Sequence, residues 1–284
     1  MCLRQQAFPH TNCPLFKSGI ITEVDQLPRR RLKINIMNNA NTRCPGTDRT
    51  WPLPLRSYAM RMRWHDLLFA HWSFPKEDIA ALLPQGLEVD AFDGKAWVAV
   101  VPFRMTDVAP RFVPAVPWLS AFPELNIRTY VSIDGKPGVW FFSLDATNPI
   151  AVRVARLAFH LPYMDAEMSI EQDADWYNYR SHRTHRGEPS ANLVARYRPV
   201  GEVFYAQPGS LEYWLTARYC LYAQDRSGRL LRGEIDHPPW ALQRAEAELE
   251  SSTMLASIGL EGHGDPHLLF TKDIKVKAWL NERC

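Results

Sequence analysis

Four polar side chains recur at every second position of the segment 124–131. They are Glu124, Asn126, Arg128 and Tyr130. In an extended strand alternate side chains point to the same face, so a carboxyl, an amide, a guanidinium and a phenol would lie together. Such a face borders either solvent or a polar cavity, and the spacing alone leaves both open. If Arg128 is buried, it needs Glu124 or a ligand anion as its partner.

Two further places carry side chains that could face the same cavity. Arg156 and His160 are four residues apart at the end of a predicted helix, 149–159, although this spacing also fits a solvated basic helix edge. His237 lies between a predicted strand and a predicted helix, where functional groups are common. A lone histidine beside prolines also fits a structural hydrogen-bonding role.

The sequence carries no recognisable motif for a metal, a nucleotide or a serine nucleophile. Two pairs of histidines lie close in sequence, at 182 and 185 and at 263 and 267, but neither pair has a convincing third ligand. The Walker A, G-x-G-x-x-G and G-x-S-x-G patterns are missing. We therefore expect neither a metal nor an organic cofactor.

Charged and aromatic residues are unevenly distributed along the 284 residues. Residues 1–57 contain nine Lys+Arg, three Asp+Glu and only three of the 33 aromatic residues. Because so few bulky side chains cannot offset the ordering entropy, we expect 1–57 to be a disordered or poorly ordered basic extension. We expect 58–284 to form a single domain. Its 24 Lys+Arg and 28 Asp+Glu give a net charge of −4, which disfavours nucleic acid as a partner.

Cysteine usage and hydropathy indicate the compartment. Of the five cysteines, only Cys220 lies inside the predicted domain and away from its end, so a disulfide scaffold is excluded. No apolar run reaches the length that crosses a membrane. We therefore expect a cytoplasmic protein without a membrane partner.

Segments typical of strands recur about every ten residues after the extension, and helices are few and short. This pattern predicts an α+β domain built mainly from antiparallel strands. A strand is predicted over 62–74, with Trp64, Leu68 and Trp72 on one side. The nearly continuous apolar run 95–105 predicts a strand with both faces covered.

Helix and loop signals are fewer. Asn148 before Pro149 predicts the start of the helix 149–159, because asparagine caps a helix and proline suits its first position. Repeated prolines predict a loop over 107–121. The segment WALQRAEAELE, 240–250, is expected to be helical.

Several segments together resemble a known family. They are AWVAVVPFRM, ELNIRTYV, GVWFFSLDA, PGSLEYWLTARYCLY and HPPW. The resemblance is to the YqjF-like proteins, catalogued as domain of unknown function 2071, and extends over about 62–281. That family is similar in fold to acetoacetate decarboxylase. The resemblance implies a mainly antiparallel, cone-shaped barrel around a partly enclosed pocket, with the polar strand face as its wall.

The same resemblance also shows which reaction of the decarboxylase this sequence cannot perform. The decarboxylase forms a Schiff base on a lysine whose pKa is lowered by a second lysine, in a segment that matches HLPYM here. Pro162 matches a proline of that segment, whereas Tyr163 and Met164 stand where the two lysines belong. No lysine occurs between 137 and 271, so Schiff-base decarboxylation is not carried over. Glu124 matches the pocket glutamate of the decarboxylase.

Three functions remain open at this point. The first is a pocket for a small anionic or oxo-substituted metabolite, with Arg128 binding a carboxylate and Tyr163 and His160 at the floor. The second is a lysine-independent acid/base lyase or hydrolase. Its catalytic candidates are Glu124, Tyr163 and His237. The third is a structural or interaction protein whose cavity is filled by its own side chains. A homo-oligomer is compatible with all three.

Overall fold

The computed structural model describes residues 48–116 and 118–284. Most of them lie in strands, whose bounds are β1 (Met60–Phe74), β2 (Glu88–Val89), β3 (Ala96–Pro110), β4 (Phe122–Ile133), β5 (Lys136–Ala146), β6 (Tyr163–Asp173), β7 (Trp176–Arg183), β8 (Asn192–Phe204), β9 (Cys220–Gln224), β10 (Leu230–Asp236), β11 (Leu242–Ser252), β12 (His267–Ala278) and β13 (Glu282–Arg283). The helices of the described part are α1 (Lys76–Ala80), α2 (Pro149–Ala158), α3 (Leu211–Thr216) and a 3-10 turn (Ala256–Ile258). None of these helices is long and apolar enough to cross a bilayer.

The strands form one sheet that closes into a barrel-like ring. The ring runs β5-β6-β7-β8-β11-β12-β1-β3-β4 and returns to β5 through the β4–β5 pair. Neighbours are antiparallel except where β5 pairs with β6 and with β9. Helix α2 connects the parallel strands β5 and β6, as such a crossover requires. The predicted mainly antiparallel α+β class is confirmed.

Strand β3 is buried on both faces, as its apolar run predicts. Val98 and Val100 pack into one hydrophobic cluster, whereas Val101 and Phe103 pack into another. The second cluster surrounds the cavity described below. Each face of the strand therefore contributes to a different part of the core.

Strand β1 departs from simple alternation at a bulge. Asp66 has a φ of 53°, and the β1–β3 register shifts between His65 and Ala70. An extra residue reverses which face the following side chains occupy. The prediction that Trp64, Leu68 and Trp72 share one side is therefore wrong, since Trp64 packs in the cavity cluster and the other two in the opposite one.

Two predicted elements are corrected by the structure. The segment 240–250 is not a helix: most of it forms β11, because Arg196 and Arg198 of β8 pair across the strands with Glu248 and Glu246. These cross-strand pairs and the buried Leu242 outweigh helix propensity. The predicted loop 107–121 is also shorter, because β3 continues to Pro110.

The predicted Asn148 cap forms, and a second helix is capped by Ser210. The Asn148 side chain accepts hydrogen bonds from the backbone N–H groups of Ile150 and Ala151. It also donates to the carbonyl oxygen of Leu119 over 3.0 Å, which ties the helix start to the preceding loop. Ser210 caps α3 by accepting from Tyr213 N.

Residues 48–57 pack against the domain, so the predicted boundary at 58 is too late. Arg49 is completely buried and forms an ion pair with Glu234 of β10. The Trp51 indole N–H donates to the same carboxylate over 2.9 Å. A buried carboxylate holds these residues in place because it must be paired. The rest of the predicted extension, 1–47, lies outside the described residues.

A truncation pair tests this correction. We expect a chain beginning at Asp48 to be more stable than one beginning at Tyr58 by about 1–3 kcal/mol, because the shorter chain loses the Arg49 and Trp51 contacts to Glu234, which keeps only its ion pairs with Lys136 and Arg232. Urea unfolding of both chains measures the difference. Equal stabilities would show that residues 48–57 lie on the domain without supporting it.

Candidate functional site

A cavity of about 170 Å³ lies against one face of β4. Its wall is largely apolar, with side chains from β1, β3, β5, α2, β10 and β12. The polar groups at its surface are Glu124, Asn126, Arg128, Tyr163, Thr216, Arg218, Glu234 and His237. Three of these come from alternate positions of β4. The structure thus places the first three predicted polar residues along one cavity wall.

Arg128 has no ion pair in the described part of the chain. The same part buries four arginines, and the other three each have a carboxylate partner. These pairs are Arg49–Glu234, Arg183–Asp145 and Arg218–Asp90. Arg128 is 8% exposed, and its buried Nε has no hydrogen-bond partner among the described residues. Its charge is therefore left for something inside the cavity to balance.

Aromatic rings hold the Arg128 guanidinium in position. Its Cζ lies 5.1 Å from the centre of the Phe69 ring and 5.8 Å from that of Tyr130. Such contacts stabilise a cation by about 1–2 kcal/mol when it is desolvated. They orient the planar guanidinium of Arg128, but they do not supply the carboxylate or other anion with which a guanidinium pairs best.

Arg218 brings a second guanidinium to the cavity. Its Nη1 pairs with Asp90, and its Nε donates to the carbonyl oxygen of Trp214 over 2.7 Å. Nη2 is buried and has no hydrogen-bond partner in the described part of the chain. Burial lowers the pKa of this guanidinium, and Asp90 opposes that shift. Arg218 therefore offers a free N–H donor while its charge is already balanced.

Glu124 and Tyr163 form the second polar group of the cavity. The Tyr163 hydroxyl donates to Glu124 Oε2 over 2.7 Å, and both side chains are buried. Burial raises the pKa of Glu124 to about 7, against the smaller lowering effects of Tyr163 and Asn126. Burial and the neighbouring carboxylate raise the pKa of the Tyr163 phenol well above its ordinary value. Near neutral pH, Glu124 can therefore give or take a proton.

Asn126 lies between these two groups on β4. Its side chain hydrogen-bonds Glu124, which leaves Oδ1 as the remaining polar atom. That oxygen is buried, and no described residue donates a hydrogen bond to it. An unpaired buried acceptor is costly, so this position favours a ligand or water that can donate a hydrogen bond.

The other predicted site residues lie in less direct positions. Tyr130 is buried beyond the cavity, and its hydroxyl hydrogen-bonds His71 Nε2 over 2.7 Å. Arg156 donates to the carbonyl oxygen of Tyr163 over 2.6 Å and so supports the position of that residue. Neither these two nor His160, which follows α2 with a φ of 52°, lines the cavity.

His237 lines the cavity, but both nitrogens of its ring already contact backbone carbonyl oxygens. Nδ1 lies 2.8 Å from the carbonyl oxygen of Pro238, and Nε2 lies 3.1 Å from that of Arg218. Burial lowers the pKa of His237. This arrangement fixes the imidazole between α3 and β10, and a ring nitrogen would have to leave a carbonyl oxygen to act on a ligand.

Sequence reasoning missed Arg218 and Thr216. Both lie where α3 ends and β9 begins, in the run LTARYC. A lone arginine inside an otherwise apolar segment was the available signal. The sequence does not show that this arginine reaches the cavity, because its spacing does not reveal where α3 packs.

Among the residues that the structure describes, no lysine lines the cavity, and Tyr163 is part of its wall. In the described ranges, His, Cys, Asp and Glu side chains form no group of three or more that could hold a metal ion.

Comparison with known proteins shows the family. A family model, DUF2071, described as an uncharacterized conserved protein, matches residues 61–275. The chain belongs to the DUF2071 family. It is 44% identical over 223 residues to the uncharacterized protein YqjF of Bacillus subtilis (strain 168), covering 78% of this chain and 91% of that protein.

Solved structures show that the DUF2071 chain shares the fold of acetoacetate decarboxylase-like enzymes. One such enzyme from Sphingomonas wittichii RW1 superposes with a TM-score of 0.54 at 13% identity, covering 84% of this chain and 98% of the other. The enduracididine biosynthesis enzyme MppR complexed with pyruvate gives a TM-score of 0.55 at 10% identity, covering 81% and 91%. The fold expected from the resemblance is therefore confirmed.

The raised pKa of Glu124 predicts a pH dependence of stability. A carboxyl whose pKa rises on folding contributes stability that is present below its unfolded pKa and lost as the pH rises through its folded pKa. With values of 4.5 unfolded and about 7 folded, the loss is about 3 kcal/mol. Between pH 5 and 8 we expect Glu124→Gln to lose less unfolding free energy than the wild type.

Urea unfolding at both pH values measures this difference. Glu188→Gln, at an exposed position, is the matched control and should follow the wild type. If Glu124→Gln has the same pH dependence as the wild type, Glu124 is already ionised in the folded protein at pH 5.

Proposed function

We propose that this protein binds a small carboxylate, including oxo-substituted acids, in the cavity beside β4. The observation that carries the proposal is the buried Arg128 guanidinium, which has no carboxylate partner in the described chain. A bidentate contact to a ligand carboxylate would balance its charge and use its planar fork. The apolar wall would strengthen that contact by excluding water.

The alternative partner for Arg128, the side chain of Glu124, is occupied elsewhere. Glu124 hydrogen-bonds Tyr163 over 2.7 Å, and it does not form an ion pair with Arg128. Glu234, the other carboxylate that lines the cavity, pairs with Arg49 and Lys136. Within the described part of the chain this leaves a ligand anion as the candidate partner. MppR, a neighbour in fold, has been obtained in complex with pyruvate, a 2-oxo acid. We extend this ligand class to the present chain as part of the proposal.

Substituting Arg128 tests the proposal. Wild-type protein in a screen of keto acids and simple carboxylates should gain about 2.7 kcal/mol at a ligand concentration of one hundred times Kd, which raises Tm by a few degrees. We expect Arg128→Ala to abolish this shift, because the carboxylate then has no guanidinium to pair with. Arg128→Lys should retain only weak binding, since an ammonium cannot form the fork contact.

Arg226→Ala removes an exposed arginine in the β9–β10 turn and serves as the charge-matched control. It should bind as the wild type does. An acid that stabilises Arg128→Ala as strongly as the wild type would contradict the proposal. Absence of any shift across the screen would favour a structural protein with a filled cavity.

The Glu124–Tyr163 pair favours a second candidate, a lysine-independent acid/base enzyme that uses the same cavity. A carboxyl with a pKa of about 7, hydrogen-bonded to a phenol, is suited to proton transfer at neutral pH. Glu124 would be the acid/base and Tyr163 its partner. His237 could take part only if one of its ring nitrogens gave up its contact with a backbone carbonyl oxygen.

This candidate predicts that turnover and binding separate. For an acid identified by the screen, Glu124→Gln should lower the rate of its consumption by 100-fold or more, about the contribution of one general acid/base. Its Kd should change little, because the amide keeps the shape of the carboxyl. Consumption at the wild-type rate in Glu124→Gln would exclude Glu124 as the acid/base.

A further inference from the structure

A second arginine lies at the same end of the cavity as Arg128. The Cζ atom of Arg218 lies 4.9 Å from the centre of the Tyr130 ring, and the Cζ atom of Arg128 lies 5.8 Å from the same centre. Both arginines are buried and line the cavity. Burial and, to a smaller extent, the positive charge of Arg128 lower the pKa of Arg218. Because both guanidiniums contact one ring, they act on the same end of the cavity.

Arg218 has an N–H donor that its protein contacts do not use. Nη1 pairs with Asp90, and Nε donates to the carbonyl oxygen of Trp214. Nη2 is buried, and no described residue accepts a hydrogen bond from it. A buried donor without an acceptor is costly. This position therefore favours a ligand that carries an acceptor oxygen.

The charged groups that line the cavity leave one positive charge unbalanced. Arg218 and Asp90 form a neutral pair, and Glu234 already has cationic partners. Arg128 has no carboxylate partner in the described part of the chain. Glu124 is the remaining carboxyl on the wall, and its ionisation would lower the total charge. One ligand carboxylate therefore balances the cavity, whereas two exceed its charge.

Other ionisable groups nearby do not alter this balance. Burial lowers the pKa of His237 and raises that of the Tyr163 phenol, so both are neutral near pH 7. Lys136 and Arg232, which contact Glu234, are partly exposed and do not line the cavity. Solvent and salt screen such charges. The charge that a ligand meets is therefore that of Arg128.

We propose that Arg218 is a second residue that binds the ligand, and that Asp90 makes the cavity select acids with one carboxylate over acids with two. The inference rests on the proposed function at Arg128. Arg128 pairs with the ligand carboxylate, and Arg218 donates a hydrogen bond from Nη2 to a ligand oxygen. Because Asp90 balances the charge of Arg218, a second carboxylate would lose its hydration in the cavity without gaining a cation.

Dicarboxylic acids and their monomethyl esters test the selection by charge. The probes are butanedioate, pentanedioate and hexanedioate, each with its monomethyl ester, which keeps the chain but carries one carboxylate. Calorimetry on the full chain at pH 7 measures Kd for both members of a pair. We expect the wild type to bind the monoester at least tenfold more tightly. An apolar wall alone would give part of this preference, so the substitution of Asp90 decides its cause.

Asp90→Asn leaves the charge of Arg218 unbalanced. We expect the preference for the monoester to fall tenfold or more, because two cations then face two carboxylates. Adding Arg218→Gln to Asp90→Asn removes both charges of the neutral pair and should restore the wild-type preference. Asp265→Asn, at an exposed position, is the matched control and should keep it. The ratio of two Kd values on one protein does not depend on how much of a variant folds.

The double variant also tests the hydrogen bond from Arg218. Its total charge equals that of the wild type, but it lacks the Nη2 donor. We expect it to bind the monoester about fivefold less tightly than the wild type, the usual effect of losing one hydrogen bond. Wild-type affinity for the monoester in the double variant would show that Arg218 does not bind the ligand.

The remaining outcomes separate this inference from the proposed function. A dicarboxylate that binds the wild type as tightly as its monoester, or an unchanged preference in Asp90→Asn, overturns the selection by charge. If Arg128→Ala still abolishes binding, the carboxylate site stays in place. Binding that does not depend on Arg128 overturns the proposed function and this inference with it. Failure of the wild type to bind any of the monoesters also overturns the inference.

Discussion

A guanidinium placed among apolar side chains loses its hydration and must recover that free energy from an anion. The domain meets this condition for Arg49, Arg183 and Arg218, each of which is buried with a carboxylate. Arg128 is also buried, but it has no carboxylate partner among the residues that the structure describes. The two neighbouring aromatic rings offset part of the free-energy cost of burying this guanidinium. The protein therefore keeps a fixed positive charge facing an apolar cavity.

The ring of strands fixes the positions of Arg128 and Glu124 on the cavity wall. Strand β4 is paired on both sides, with β3 and with β5, so its alternating side chains cannot turn away from the cavity without breaking two ladders. The parallel β5–β6 connection through α2 then delivers Tyr163 to Glu124. A mobile loop could not keep a guanidinium and a carboxyl at a set separation, whereas two positions on one face of a paired strand can.

The sequence predicted what depends on local pattern. Period-two alternation placed Glu124, Asn126 and Arg128 on one face, and the Asn148–Pro149 signal located the start of α2. Tyr130 shows the limit of that reasoning: it follows the same alternation but lies beyond the end of the cavity, against His71. Alternation gives the face of a strand, whereas the extent of a cavity depends on which elements cover it.

The sequence predictions that were wrong or missing share one cause, which is that tertiary contacts decide these positions. Segment 240–250 is rich in helix-forming residues, yet pairing with β8 makes most of it a strand. Arg49 belongs to a stretch with few bulky residues, and only the distant Glu234 reveals that it is buried. Arg218 reaches the cavity because α3 packs over its end. No spacing along the chain encodes these long-range contacts.

The central claim is that Arg128 holds its place for a ligand anion. A crystal structure of the wild-type protein soaked with 4-oxopentanoate tests it most directly. An anion site at Arg128 predicts density for the acid inside the cavity, with both carboxylate oxygens within about 3 Å of the guanidinium nitrogens. Density for the acid elsewhere, with Arg128 paired to a protein carboxylate, would contradict the claim.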